Sequence, residues 1–403
     1  MYNLNSNNDR PLQSEQLVIS FLDHLCMALD LTKTQRKAAE DHYAAITELL
    51  ADPSSPIEAY SPHLFPQGSF LLKTVVKPMA GVEYDVDMIC LLHEVSQFSP
   101  RELFTTVTDA LKRRCKDLVV KDRCCRIEYA NEFHMDIIPA RHEGQADSRR
   151  IVVPDRRLND YIWSCPKLYE RWFEEATQLM PKFSAEFSET VINAKSAALV
   201  EPLPDYDGMS VEPLRRFVQL FKASRNHYYQ SRSCSQPSSI AITTMAAQSY
   251  RKVVTGIFYS SMIEVFRAVA EDLHNNIQIA HGDREQPLYE LINPMDEREN
   301  FLDCWDDDPR AYDEFRTWQS LVVRFIDEIL IGTERQEGVD GAKKRMSVVF
   351  GESVASATVR SIASQRREMV SRGSAGFLAS GILTTMSQPG ALAVPKHTFD
   401  GIQ

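Results

Sequence analysis

The 403-residue sequence predicts an α+β protein in which a sheet precedes a helical lobe. Two observations carry this. Strand-like apolar runs fall in the first third of the chain, around Phe70–Val76 and Val82–Leu92 and in a hairpin ending "FHMDIIPA". Beyond about Asp155 the apolar residues recur at helical spacing instead. Strands and helices in separate blocks distinguish this class from an alternating α/β chain.

In chain order, Leu17, Phe21, Leu25 and Leu29 lie along one face of a first helix. A second helix is expected after Leu31, with a stripe of Tyr43, Ile46, Leu49 and Leu50, and Pro53, Pro56 and Pro62 end it. The two strands follow. "PRELFTTVTDALKRRCKD" then reads as a helix with Pro100 in its first turn. A hairpin comes next, made of "CCRIEY", a turn at Ala130-Asn131 and "EFHMDIIPA". In the helical region, "VEPLRRFVQLFKASRNHYYQ" places Leu214, Phe217, Val218 and Phe221 on one face. The pattern continues through "SSIAITTMAAQSYRK", "SMIEVFRAVAEDLHNN" and "DEFRTWQSLVVRFIDEIL" to the Ser353–Arg367 region. The final stretch, rich in Gly, Ser, Ala and Pro, reads as a flexible tail. The expected organisation is residues 1–155 for the N-terminal helices and the sheet, 156–370 for the helical lobe and 371–403 for the tail.

Composition is that of an ordinary soluble chain, 43% hydrophobic and 25% charged. No apolar run of about eighteen residues predicts a membrane span, and the polar start lacks a signal-peptide pattern. A cytoplasmic location is expected. Lys and Arg number 45 against 56 Asp and Glu, a net charge of −11, which argues against sequence-independent nucleic-acid binding. The eight cysteines include no CxxC pair, so neither a zinc ribbon nor a disulfide framework is indicated.

Inside the apolar "EYDVDMICLL", Asp85 and Asp87 project from the same side of a strand while Val86 and Met88 point the other way. Two carboxylates so close repel unless a cation sits between them. A hard divalent ion such as Mg²⁺ is the natural resident, and Asp136, isolated in "FHMDIIPA", offers a third ligand if its strand lies beside the first. A lone DxD also occurs on solvated strands; the third acid and the upstream Gly68-Ser69 tip the reading toward a metal site for phosphoryl transfer. Gly68 permits close backbone approach to phosphates, and the Ser69 hydroxyl can grip them. Relief of like-charge repulsion leads to the expectation that neutralising any one acid preserves or raises stability. His134 and Arg141 flank Asp136; His134 shares its face and reads as a packed or hydrogen-bonded sheet residue. Trp163, Tyr169 and Trp172 read as core, and "DCWDDDPRAYDE" as a solvated loop and helix start.

The motifs "PQGSF", "TVVKP", "EYDVDMIC" and "FHMDIIPA", in that order, resemble the nucleotidyltransferase core of the bacterial cyclic-oligonucleotide synthases (CD-NTases). These are relatives of cyclic GMP-AMP synthase that serve in CBASS anti-phage signalling. "WSCPKLYERWF", "LRRFVQLFKASRNHYY", "PSSIAITTMAA", "LINPMDERENFLDCW" and "SVVFGESV" resemble further family segments, so the likeness spans about Leu64 to Val354. It implies a bilobed fold with a polymerase beta-like mixed sheet. It also implies an enzyme that condenses ATP- or GTP-type nucleoside triphosphates into a cyclic di- or trinucleotide, such as a cyclic GMP-AMP, releasing pyrophosphate.

By the same resemblance, Asp85, Asp87 and Asp136 are the metal-binding catalytic acids, holding Mg²⁺ or Mn²⁺. Gln67, Gly68 and Ser69 form the phosphate-binding turn; Lys222 and Ser239, with Ser238 adjacent, contact the donor triphosphate from the helical lobe. Where many relatives carry Gly before the Thr of this turn, this chain has Lys73 before Thr74, which either adds a positive group near the phosphates or points outward. With neither a zinc insertion nor a basic surface, no DNA activator is expected. "VPKHTFDGIQ" resembles tails that a ubiquitin-transfer-like enzyme conjugates, and the product would reach an effector. The alternative activity is a protein-modifying nucleotidyltransferase using the same acids.

Overall fold

The computed structural model describes residues 21–77, 84–113, 115, 117–129, 133–144, 149–183, 212–280, 287–334 and 338–371, with short strands at Ala375–Phe377, Leu383–Thr385 and Leu392–Ala393. After a helix over residues 21–29 (α1), α2 spans Lys33–Ala51 behind a Thr32–Gln35 capping box. Strand β1 is His63–Pro66 and is followed at once by a single helical turn, Gly68–Leu71 (α3). Strand β2 is Tyr84–Leu92, and α4 spans Pro100–Lys112, opened by a Ser99–Glu102 capping box with Pro at its start. Then come β3 (Leu118–Val120), β4 (Cys125–Tyr129), β5 (Phe133–His142), β6 (Ile151–Asp155) and β7 (Asp160–Ser164).

These strands form one mixed sheet in the order β1-β2-β5-β4-β3, with β6 and β7 continuing from β5. β2 and β5 run parallel, and the other neighbours are antiparallel. On one face Val86, Met88, Cys90, Phe133, Met135 and Ile137 pack under α2 and α4. The other face has only a small apolar cluster around Phe65, Ile89, Ala140 and Val153, which leaves Asp85 and Asp87 partly exposed there.

The helical lobe contains α5 (Pro166–Thr177), α6 (Pro213–Tyr229), α7 (Ser239–Gly256), α8 (Met262–Asp272), α9 (Ala311–Glu334), α10 (Gly338–Phe350) and α11 (Glu352–Ser371) around a large core that includes Phe221, Tyr250, Phe266 and Trp318. Leu25 and Leu29 of α1 belong to this core rather than to the sheet's. His24 fixes that placement, bonding Ser361 Oγ at 3.0 Å and Gln365 Oε1 at 2.8 Å. Among the described residues no helix is long and apolar enough to cross a membrane.

Three expectations need correction. The strand expected around Phe70–Val76 does not exist; β1 is the partner of β2 on that side. The segment after α3 is instead held by three side chains of α6. Arg215 donates to Leu72 O, Gln219 Nε2 to Val75 O at 2.9 Å and Lys222 Nζ to Thr74 Oγ1 at 2.9 Å. These acceptors are satisfied by side chains, which removes the need for a ladder partner. Second, the sheet runs on past residue 155 into β7. The buried Asp155 carboxylate closes the intervening turn by accepting from Arg157 N (2.9 Å) and Leu158 N (3.0 Å). Third, part of the expected tail is paired: Ala375–Phe377 lies antiparallel to Leu383–Thr385 and Leu392–Ala393. Pro395–Gln403 and the Ala130-Asn131 turn lie outside the described residues.

Candidate active site

The parallel register of β2 and β5 sets Asp85 against His134 and Asp87 against Asp136. On the other side of β5, antiparallel pairing sets Arg126 of β4 opposite Asp136. Arg126 clamps Asp136 with two bonds, Nε to Oδ1 at 2.7 Å and Nη2 to Oδ2 at 2.6 Å, and Nη2 reaches Asp85 Oδ1 at 3.3 Å. Such a planar fork matches a carboxylate geometrically. The Nε2 of His134 lies against Asp85 Oδ1.

Asp85, His134 and Asp136 bring ligand atoms within 4.8 Å of one another. This cluster contains His134 where the sequence reading placed Asp87. That carboxylate turns instead toward the Gly-Ser turn. A Cβ on Gly68 would stand 2.7 Å from Asp87 Oδ2, and the backbone carbonyl of Asp87 accepts from Gln67 N at 2.9 Å. Gly68 has φ +63°, a left-handed conformation that any side chain would strain. Only glycine fits this contact. Lys73 also sits at positive φ, 54°, a backbone conformation that favours glycine, and the residue is exposed.

Burial pushes the Asp87 carboxyl up to about 7, and the neighbouring Asp85 and Asp136 add to the rise against the opposing pull of Arg126 and Lys222. Across the cleft Lys222 is buried and held down to about 7, first by burial and then by Arg225, while Asp87 acts in the opposite sense. Arg225 Nη2 donates to Ser239 Oγ at 3.0 Å. Ser239 lines the cleft, whereas Ser238 spends its hydroxyl on the start of α7, accepting from Ala241 N at 3.2 Å. Of the two serines, Ser239 is the one that faces the cleft.

Gln67, Gly68, Ser69, Asp85, Asp87, Lys222 and Ser239 thus line one cleft of about 330 Å³ between the sheet and the helical lobe. Its remaining wall includes Tyr169, Asn293, Glu299 and Phe301. Tyr169 is core, as expected, though its ring also reaches the cleft. Trp163 is not core: it is 44% exposed, with the Arg298 guanidinium 4.7 Å from its ring centre. Arg141 stays out of the site, stacked on Tyr161 at 4.3 Å. Sequence reasoning missed Arg126 altogether; only the cross-strand register of β4 and β5 reveals it.

The donor set suits a hard divalent cation, because carboxylate oxygens predominate. A cationic group already bridges Asp85 and Asp136 in the form of Arg126, so this cluster does attract positive charge.

Residues 17–176 match the Second Messenger Oligonucleotide or Dinucleotide Synthetase domain. Over 398 residues the chain is 27% identical to a c-di-GMP synthase of Roseivirga ehrenbergii, covering 94% of this chain and 96% of that protein. Its fold is similar to that of CdnG from Bradyrhizobium diazoefficiens, a CD-NTase solved with GTP, at TM-score 0.63 and 21% identity over 85% of this chain and 97% of that one. CdnC from E. coli MS115-1, solved with ATP, matches at TM-score 0.54 and 15% identity over 83% and 98% of the two chains. Domain match, near full-length similarity and shared fold agree in supporting a CD-NTase, a second-messenger oligonucleotide or dinucleotide synthetase.

Proposed function

We propose that the protein joins ATP- or GTP-type nucleoside triphosphates into a cyclic dinucleotide, releasing pyrophosphate, and that the product acts as a signal. One observation carries this most directly. The Gly68-Ser69 turn, the paired acids of β2 and the buried Lys222 line a single cleft in a chain whose relatives are cyclic dinucleotide synthases.

Asp85, Asp87 and Asp136 would hold a divalent cation, Mg²⁺ in this reading, with His134 turned onto Asp85. When bound, the cation neutralises triphosphate charge and makes a ribose hydroxyl more acidic. Gly68 leaves room for phosphate oxygens, and Ser69 offers its hydroxyl to them. Lys222 and Arg225 form a buried positive pair beside Ser239, able to orient the departing pyrophosphate. Asp136 is the proposed acceptor of the ribose hydroxyl proton. The hydroxyl oxygen then forms a bond to the α-phosphorus as the bond to pyrophosphate breaks, and a second round closes the ring.

Incubation with labelled ATP and GTP, Mg²⁺ and then phosphatase tests the reading. A phosphatase-resistant product with the mass of a cyclic dinucleotide is expected. Label retained on protein, or no turnover with any nucleotide mixture, would overturn it.

A further inference from the structure

The cleft wall contributed by the helical lobe holds a carboxylate for which the chemistry above has no use. A hairpin of Ile292–Asn293 and Asp296–Asn300 carries Asn293 and Glu299 into the cleft beside Tyr169 and Phe301. Glu299 Oε2 accepts from Asn293 Nδ2 at 2.6 Å. The Asn293 amide is fixed in that sense, because its Oδ1 accepts from Met295 N at 2.9 Å. Asn293 itself is only 4% exposed.

Glu299 has no ion pair among the described residues. The cation next to it in sequence, Arg298, is consumed by Asp296 (2.6 Å) and by Glu143 (2.5 Å). Burial raises the Glu299 carboxyl above the usual range, Asp296 and Asp303 add to the rise, and its hydrogen bond to Asn293 and the charge of Arg123 oppose it. A largely desolvated carboxylate facing a ligand cleft needs donors, and one amide supplies too few.

We propose that Glu299 is the base-reading residue of this cleft and selects guanine. Its two oxygens accept the adjacent N1–H and exocyclic amino group of a guanine nucleotide. Of the four common bases guanine alone presents two neighbouring donors on its Watson–Crick edge. Adenine and cytosine each pair one amino donor with a ring-nitrogen acceptor whose lone pair faces the carboxylate, and uracil flanks its single N–H with carbonyl oxygens. Asn293 is a positioning residue that holds the carboxylate in place from its far side. This rests on the reading of the cleft as a nucleoside triphosphate site.

The test compares GTP with inosine triphosphate, which lacks only the exocyclic amino group, in the wild type and in Glu299→Gln. Wild type should favour GTP over the inosine nucleotide on the order of tenfold in kcat/KM, the worth of one hydrogen bond to a charged group. Glu299→Gln should raise KM for GTP roughly 10- to 100-fold with kcat little changed, and should erase the preference over inosine triphosphate. An unaltered GTP-to-inosine ratio in Glu299→Gln, or a wild type that consumes only ATP, overturns the proposal. Thermal shift with each nucleotide gives a readout independent of turnover. If no cyclic product forms at all, the proposed function fails. Guanine selection still stands or falls on whether GTP stabilises wild type more than inosine triphosphate does and Glu299→Gln removes that difference.

Discussion

The two sides of the acid cluster are built differently. On the β4–β5 side, Asp136 is clamped by both arms of Arg126, which also reaches Asp85. On the β1–β2 side, Asp87 abuts the Gly68 turn, and burial with two neighbouring carboxylates pushes it up to about 7. One side is neutralised by the chain itself. The other is left short of positive charge, with Lys222 the cation facing it from the helical lobe. The contrast teaches that like-charge repulsion, read from the spacing of the acids, applies to one acid and not to its neighbour across the register.

Activity should be the most sensitive measure of both sides. Asp87→Asn and Asp136→Asn are each expected to reduce turnover roughly 10³-fold or more, since in the proposed mechanism each would remove an anionic ligand from the reacting centre. Steady-state synthesis of the cyclic product checks this; near-normal synthesis in either variant would remove that acid from the catalytic set.

Stability should split the two sides apart. Asp136→Asn removes the two-armed partner of the half-buried Arg126, which keeps only its longer contact to Asp85, and is expected to cost about 1–3 kcal/mol in urea unfolding. That reverses the expectation that loss of any acid is harmless. Asp87→Asn should raise stability by on the order of 2 kcal/mol at neutral pH. Equal effects from the two variants would erase the comparison.

A pH series sharpens it. Between the usual 3.8 and about 7 the folded protein holds a proton on Asp87 that the unfolded chain has lost, so this group makes stability fall as pH rises through that window. Lys222 acts above it: from about 7 to the usual 10.5 the unfolded chain holds the extra proton, so stability rises with pH. The nucleotide-free enzyme should accordingly show a shallow stability minimum near pH 7, and Asp87→Asn should lose its acidic limb.

Two backbone positions give the smallest effects. Gly68→Ala should cost about 1–2 kcal/mol and lower activity further, because the new methyl crowds Asp87 Oδ2. Lys73→Gly, at φ 54°, should gain no more than about 1 kcal/mol and leave KM for nucleotide unchanged. A large rise in KM would mean that the lysine serves the phosphates after all.

Much of this site was legible in the sequence because strand alternation is rigid. Asp85 and Asp87 had to share a face, and Asp136 on β5 needed only a parallel neighbour, which β2 provides. The segment after Gly68 misled because a short apolar run reads alike as strand, turn or helix; Arg215, Gln219 and Lys222 of α6 decide the matter from 140 and more residues away. Arg126 and Glu299 were invisible for a related reason. A charged residue acquires its role from register or from the lack of a partner, and neither is written in local spacing. Trp163 looked apolar enough for a core, yet it lies on the exposed β7 beneath Arg298.

The parallel pairing of β2 with β5 also bears on how the enzyme comes to exist. Parallel neighbours cannot be joined by a tight turn, so the chain must complete α4, β3 and β4 before β5 can dock. Contacts so distant along the sequence close slowly during folding. Until they close, Asp136 and its Arg126 brace are absent from the side of Asp85 and Asp87. A nascent chain therefore holds only two of the acids, and the divalent ion of the proposed mechanism would gain its third carboxylate only when the sheet is finished. Divalent cation should thus slow unfolding far more than it speeds refolding.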